Sequence, residues 1–157
     1  MKREYGEIPP SMRGRETYGF SWMDFVTAIP SPLFLVTTYK DNGLPNACLQ
    51  SWSCFLGEDG GFYALLAGVN KGGHLYRTLR ETGCAVLNFP SLDIYDRCLA
   101  TVRHNGWDED EIAAAGLTAE PARAVNAPRV AECFLHVECA LAWERDLAPG
   151  SAHAVVC

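Results

Sequence analysis

The sequence predicts a mainly β fold, a barrel of five or six strands with helices inserted between some of them. Short segments rich in β-branched and aromatic residues recur along the chain, and turns containing Gly, Pro, Asn or Asp separate them. The chain has 157 residues, of which 48% are apolar and 20% charged, as expected for one globular domain. These observations favour a β-barrel over an alternating βαβ arrangement.

The N-terminal part is predicted to form an arm over residues 1–20, followed by the domain itself over residues 21–157. The arm is polar and rich in Arg, Glu, Gly and Pro. A short helix is predicted to start at Ser21, with an acidic residue three positions later. Pro30 and Pro32 are predicted to end it, because proline cannot continue the helical hydrogen-bond ladder.

The first strands are predicted as hairpins. Residues 33–39 are almost continuously apolar at their start, which is typical of a strand buried on both faces. A turn at 40–43 reverses the chain into the strand region 44–55, and a second turn at 58–61 precedes a strand at 62–66.

One helix has clear limits in the sequence. A glycine-containing loop at 69–73 leads into a helix at 74–82, with Leu75 and Leu79 on one face and Gly83 at the C-cap. A strand at 84–89 follows and ends at Pro90.

The second half of the chain is predicted to mix helices and strands. One helix covers 94–100, and another begins in the acidic run 108–111 and ends near Gly116. Acidic residues in a first helical turn offset the helix dipole, so this run is not interpreted as a metal site. A connector rich in Pro and Ala spans 120–128, and strands are predicted at 133–143 and 152–157.

Charge and cysteine usage exclude several function classes. The net charge is −6, and the basic residues are scattered, which argues against a nucleic-acid binder. No apolar run approaches the ~20 residues of a membrane span, and the N-terminus lacks a signal segment, so we expect a cytoplasmic protein. The seven cysteines include no C-x-x-C pair and the four histidines lack ligand spacing, so we expect no metal and mostly buried free thiols.

Two segments carry groups that suit a phosphorylated aromatic ligand. In the first, Ser51 and Ser53 flank Trp52, so that hydroxyls and an indole lie together at a strand end. In the second, Lys71 and His74 lie at a helix start, where backbone N–H groups form an anion site. Taken alone, serines at a strand end are more often ordinary turn residues, and a histidine at the position of His74 is more often a helix-cap residue.

An ordered series of short motifs extends over most of the domain. Its members are SPLFLVTT at 31–38, NGLPN at 42–46, SWS at 51–53, GHLYR at 73–77, ETG at 81–83, VLNFP at 86–90, DEI at 110–112, AGLT at 115–118, PRVAEC at 128–133 and EC at 138–139. In this order they resemble the flavin reductase-like family of FMN-binding split β-barrels, over residues 30 to 157.

The resemblance implies a homodimeric, six-stranded split barrel of Greek-key-like topology with FMN near the subunit interface. It implies NADH or NADPH as electron donor, and a downstream monooxygenase or other electron acceptor as partner. The residues that the resemblance implies for FMN are Asn46, Gln50, Ser51, Trp52, Ser53, Asn70, Lys71, Gly73, His74 and Arg77. Hydride transfer to flavin requires no protein nucleophile, and His153 is the candidate residue on the nicotinamide side.

The chain departs from the family pattern at two positions. Leu75 stands where family members often have a threonine, which removes a hydroxyl for the phosphate. Gly60 and Gly61 replace consecutive prolines, which alters a turn. Chains of this family usually continue for a few dozen residues beyond the segment that matches 153–157, so we expect either a shortened form or a fragment.

Two alternative functions stay open. A non-catalytic FMN-binding electron carrier would exchange electrons with a protein partner instead of NAD(P)H. An oxidase of the pyridoxamine-phosphate type would need a basic pocket for a second phosphorylated ligand, and the sequence contains no Arg- and Lys-rich segment for one.

Overall fold

The structure, a computed structural model, describes residues 30–157, of which residues 32–157 form one compact unit. The predicted arm at 1–20 and the helix predicted at Ser21 lie outside the described residues. The strands are β1 (Phe34–Tyr39), β2 (Pro45–Gln50), β3 (Ser53–Glu58), β4 (Gly61–Asn70), β5 (Cys84–Phe89), β6 (Ala119–Pro121), β7 (Pro128–Val130), β8 (Leu135–Ala140), β9 (Glu144–Asp146) and β10 (His153–Val156). The helices are α1 (His74–Thr82), α2 (Tyr95–Ala100) and α3 (Glu111–Ala114), with a 3₁₀ turn at Leu92–Ile94.

Two four-stranded antiparallel sheets form the body of the domain. The strand orders are β2-β1-β5-β8 and β3-β4-β10-β9, and β6 pairs with β7 in a separate ribbon. The predicted mainly β fold with helical insertions is confirmed, but the count of six strands is not, because the described residues contain ten strands in three sheets. Of the four additional strands, β3 begins inside the predicted strand region 44–55. The other three, β6, β7 and β9, have three residues each, too few for a periodic sequence signal.

Strand β1 is buried on both faces, as its continuous apolar sequence predicted. Phe34 and Val36 belong to the core between the two large sheets. Leu35, which points the opposite way, packs in a second core with residues that include Ile94 of the 3₁₀ turn and Ile112 of α3. The first sheet is therefore covered by the second sheet on one face and by helical segments on the other.

The limits of α1 and β5 agree with the prediction. Gly83 ends α1 in the left-handed region, with φ 67°, and its N–H donates to the Leu79 carbonyl. Other limits differ: β4 continues to Asn70 instead of ending at residue 66, β8 ends at Ala140 instead of residue 143, and α3 has only four residues.

All seven cysteines lie in the described residues and are free thiols. Cys84, Cys98 and Cys133 are buried, whereas Cys54 is exposed and the other three are half-buried, so the expectation of mostly buried thiols holds only in part. Burial raises the pKa of the Cys133 thiol to about 12, which keeps it protonated. Each helix that the structure describes is too short or too polar to span a bilayer.

Candidate functional site

The two loops that the sequence selected lie at the same end of β4. One loop, residues 50–53, joins β2 to β3, and the other, residues 70–74, joins β4 to α1. Strand β3 pairs with β4 so that Ser53 lies opposite Leu66, and the Ala67 N–H donates to the Trp52 carbonyl over 2.9 Å. The last residues of β4 therefore bring the two loops next to each other.

Trp52 packs over the backbone of Gly68 in β4. A Cβ at Gly68 would lie 2.9 Å from Cε3 of the Trp52 ring, and Gly68 also has a φ of +73°. Both the close approach and the backbone conformation require glycine at this position. The indole is 41% exposed, which leaves surface for contact with a planar aromatic ligand.

The loop at 70–74 leads into α1 through a side-chain turn. The Asn70 side-chain oxygen accepts from the Gly72 N–H at 2.9 Å, and the Gly73 N–H donates to the Asn70 carbonyl at 3.0 Å. Gly73 caps the helix without a side-chain hydrogen bond, and the first turn contains no acidic residue. The N–H groups of that turn have no acceptor within the helix, so this end of α1 suits an anion.

Lys71 ties the loop at 70–74 to the hairpin of β9 and β10. Its ammonium lies 2.9 Å from the Asp146 carboxylate, and its backbone N–H donates to the Ala152 carbonyl at 2.9 Å. His153 of β10 lies opposite Asn70 in the strand pairing, so the structure brings the candidate His153 to the same loop.

Serines 51 and 53 lie on the other loop. The Ser53 hydroxyl donates to the Ser51 carbonyl over 3.2 Å, which closes a tight turn around Trp52. Both serines thus belong to the loop that meets β4 near Leu66, and the start of α1 follows the end of the same strand.

Asn46 and Gln50 both belong to β2 but differ in their surroundings. Asn46 is buried, and its amide donates to the Thr38 hydroxyl at 3.3 Å. Gln50 is half-buried and is both the last residue of β2 and the first residue of the loop at 50–53. Its amide nitrogen lies 3.7 Å from the Cys48 sulfur. The structure thus places Gln50 beside the candidate loops and encloses the Asn46 side chain within the fold.

Arg77 lies one turn into α1, on its exposed side. Its guanidinium pairs with Asp41 at 2.8 Å and with Glu81 at 2.9 Å. It also covers the face of Trp107, 4.0 Å from the ring centroid. The edge-to-face contact of Trp107 with His74, with centroids 4.9 Å apart, connects Arg77 to the loop at 70–74.

Glu111 is a site residue that the sequence did not indicate. Its carboxylate lies 3.3 Å from Nδ1 of His74 and 2.9 Å from the Lys40 ammonium. The assignment of the acidic run to the helix dipole holds for Asp110, which caps α3 by accepting from the Ile112 and Ala113 N–H groups. Glu111 also lies in the first turn of α3, but its carboxylate is buried and contacts Lys40 and His74 as well. No local pattern pairs Lys40 with a residue so distant in the chain.

Two further observations concern metal binding and a groove outside these loops. No group of three or more His, Cys, Asp or Glu side chains within residues 30–157 could hold a metal ion. An open groove near the start of β4 is lined by Phe62, Val137 and Cys157, among others, and by none of the predicted site residues.

A family model described as a flavin reductase-like domain matches residues 26–156. The chain belongs to this family. The match covers the whole described β structure, including both candidate loops. The resemblance seen in the sequence motifs is therefore confirmed.

Solved structures with the same fold include flavin-related proteins. Flavoredoxin of Desulfovibrio vulgaris is 24% identical, with a TM-score of 0.72 over 99% of this chain and 73% of that chain. Nitrilotriacetate monooxygenase component B of Bacillus cereus is 20% identical, with a TM-score of 0.80 over 99% and 78%. A Shewanella frigidimarina protein described as a flavin reductase with a split barrel domain is 22% identical, with a TM-score of 0.78 over 96% and 75%. These likenesses show the split-barrel fold.

A curated relative from Methanothermobacter thermautotrophicus has no characterised function. It is 26% identical over 113 residues, which are 72% of this chain and 52% of the relative. The chain thus spans about half the length of this curated relative.

Proposed function

We propose that this domain binds FMN between the loops at 50–53 and 70–74 and passes electrons from NADH or NADPH through it. The observation that carries the proposal is the juxtaposition of an exposed aromatic ring and an anion-accepting helix start in a chain of the flavin reductase-like family. FMN combines an aromatic ring system with a phosphate, so its two ends match these two features.

The residues at the start of α1 fit a phosphate. The helix begins at a glycine with no side-chain cap and has no acidic residue in its first turn, so its N–H groups are available to an anion. Lys71 and His74 add donors beside them. Leu75 stands where the family often has threonine, and it is buried in the core and has no hydroxyl to offer a phosphate. The proposed phosphate site therefore consists of N–H groups and these two side chains.

The residues of the loop at 50–53 fit a flavin ring system. The Trp52 indole supports a planar ring by stacking, and its position is fixed by contact with Gly68. Hydroxyls from Ser51 and Ser53 and the amide of Gln50 supply hydrogen bonds to ring heteroatoms or to the ribityl chain.

Bound flavin supplies two-electron chemistry, since it accepts a hydride from a nicotinamide. The protein's own contribution is to bind and orient. Trp52 holds the ring plane, and the start of α1 with Lys71 and His74 holds the phosphate. His153, which lies opposite Asn70 in the strand pairing, is the residue assigned to the nicotinamide side in this proposal, and the reaction needs no side chain as acid or nucleophile.

Three further assignments belong to this proposal. A homodimer with FMN near the subunit interface follows from the family resemblance. A monooxygenase as electron acceptor is supported by the likeness to a monooxygenase component B. A cytoplasmic location is supported by the seven free thiols, which are typical of a reducing compartment.

Anaerobic spectroscopy tests the proposed function. The purified protein is mixed with FMN, and the visible spectrum is recorded before and after addition of NADH or NADPH. Loss of the oxidised-flavin absorbance at a rate above that of free FMN with the same nucleotide supports a reductase. A protein that takes up no FMN contradicts the proposal.

The same experiment distinguishes the second candidate, an electron carrier that uses a protein partner. The structural likeness to flavoredoxin favours this candidate. A carrier would bind FMN and stay oxidised with both nucleotides, yet be reduced by dithionite and reoxidised by an electron-accepting protein.

A further inference from the structure

We propose that Glu111, locked in place by Lys40, positions the His74 imidazole so that its Nε2 faces the phosphate of the ligand. This inference rests on the proposed function, because it concerns the same loop at 70–74. Glu111 would act through His74 and would not touch the ligand, which makes it a positioning residue.

Glu111 contacts the His74 imidazole directly. Oε1 of Glu111 lies 3.3 Å from Nδ1 of His74. A carboxylate paired with an ammonium ion only accepts hydrogen bonds, so Nδ1 must carry a proton and donate. This engagement of Nδ1 leaves Nε2 as the nitrogen available to a ligand.

The Glu111 carboxylate is itself held rigidly. Lys40 and Glu111 are 2.9 Å apart, with side chains 0% and 2% exposed. The second carboxylate oxygen accepts from the Ala47 N–H at 2.8 Å, so the backbone of β2 also holds it. A side chain with both oxygens bonded and almost no solvent contact has one available position, and it imposes that position on the His74 ring.

The His74 ring has a second contact, with Trp107. Trp107 meets His74 edge to face, with an interplanar angle of 84° and centroids 4.9 Å apart. Trp107 is itself fixed, because its indole N–H donates to Asp41 at 3.0 Å. His74 is thus held by Glu111 and by Trp107, while its side chain stays 23% exposed.

The chemistry follows from this placement. When the ring is charged, Nδ1–H donates to Glu111 and Nε2–H donates to a phosphate oxygen as a charge-assisted hydrogen bond. Without Glu111, only the contact with Trp107 would hold the imidazole, and the ring would lose part of its contact with the phosphate. The predicted effect is confined to the phosphate, because neither Glu111 nor His74 lies on the loop that holds Trp52.

A double-mutant cycle with two flavins tests the inference. Dissociation constants for FMN and for riboflavin, which lacks the phosphate, are measured by flavin fluorescence for wild type, Glu111→Gln, His74→Ala and the double variant. The ratio of the two constants is the phosphate preference. We expect Glu111→Gln to lower this preference by about 10-fold, as expected for loss of one charge-assisted hydrogen bond, and to lower it no further when His74 is already alanine.

The control is Glu132→Gln, the same substitution in a glutamate that pairs with Arg97 and Thr118 instead of the site. It should leave the preference unchanged. Equal weakening of both flavins by Glu111→Gln, or an undiminished effect in the His74→Ala background, would show a merely structural role and overturn the inference. Wild type that binds riboflavin as tightly as FMN overturns it as well, whereas wild type that binds neither flavin contradicts the proposed function itself.

A second measurement on the unmodified protein covers the case in which the variants fail to fold. Nitrogen-15 NMR of the histidine rings identifies the protonated nitrogen of His74. We expect a proton on Nδ1 and a shift of the Nε2 resonance on addition of FMN but not of riboflavin. A bare Nδ1, or an Nε2 resonance that FMN leaves unchanged, would overturn the inference.

Discussion

Lys40 and Glu111 form a buried ion pair, 2.9 Å long, that joins the end of β1 to the start of α3. Lys40 also donates to the carbonyls of Gly106 and Glu109, each at 2.8 Å. Its three ammonium hydrogens therefore have three acceptors, and the segment from 106 to 111 is held against the strand.

Removal of one partner should destabilise the domain far more than removal of both. Lys40→Met leaves the Glu111 carboxylate buried without its ammonium partner, and we expect a loss of about 3–5 kcal/mol in the free energy of unfolding. Lys40→Met combined with Glu111→Leu should recover most of that loss. Urea denaturation measures both variants, and a Lys40→Met variant within ~1 kcal/mol of wild type would show that the pair is not buried in solution.

Replacement of Ser51 and Lys71 together by alanine should weaken FMN binding without unfolding the domain. The loss of one to a few charge-assisted hydrogen bonds corresponds to about 2–5 kcal/mol of binding free energy. The control is Ser91→Ala with Arg103→Ala, which removes one hydroxyl and one cation outside both loops. Isothermal titration calorimetry measures the FMN affinity of the double variant and of wild type. An unchanged affinity in a folded double variant would place the FMN site elsewhere.

Gly68→Ala should disturb Trp52, and Gly43→Ala provides a matched control. Both glycines have positive φ, 73° and 81°, but a Cβ at Gly68 would meet the Trp52 ring whereas one at Gly43 would meet nothing within 4 Å. Each variant should lose about 1–2 kcal/mol of stability from backbone strain. Only Gly68→Ala should also weaken flavin binding, and equal flavin affinities for the two variants would contradict the role of Trp52.

Local sequence patterns predicted the parts of this fold that depend on local physics. The helix at 74–82 and the strand at 84–89 were predictable because Gly83 and Pro90 mark their ends. Leu75 and Leu79 lie on one face of the helix, and the strand is almost continuously apolar. Both candidate loops also had local sequence signals. Two hydroxyls and an indole lie together at 51–53, and a lysine precedes a helix start at residue 71.

The rest could not be predicted because it depends on contacts between distant segments. Glu111 resembles any acidic residue in a first helical turn until the fold brings Lys40 and His74 to it. The pairing of Lys71 with Asp146 likewise depends on β9, a strand of three residues that carries no pattern of its own.

Acid should reduce the stability of the domain partly through Glu138. Hydrogen bonds from the Arg123 and Ala124 N–H groups hold the pKa of the Glu138 carboxyl below its ordinary value. The unfolded state then binds the proton more readily, so this stabilisation is complete above the ordinary pKa of about 4.3 and is lost as pH falls through the lowered pKa. Thermal melts from pH 6 to pH 3 should show a shallower decline for Glu138→Gln than for wild type, and parallel declines would exclude this role.

Hydrogen–deuterium exchange with and without FMN tests the central claim most directly, because it reports where the ligand binds on the unmodified chain. We expect FMN to slow exchange in peptides that cover residues 50–53 and 70–76, with little change in the hairpin around Phe62. Protection confined to the groove of Phe62 and Val137, or no protection in either loop under conditions where FMN is bound, would contradict the placement of the cofactor at the end of β4.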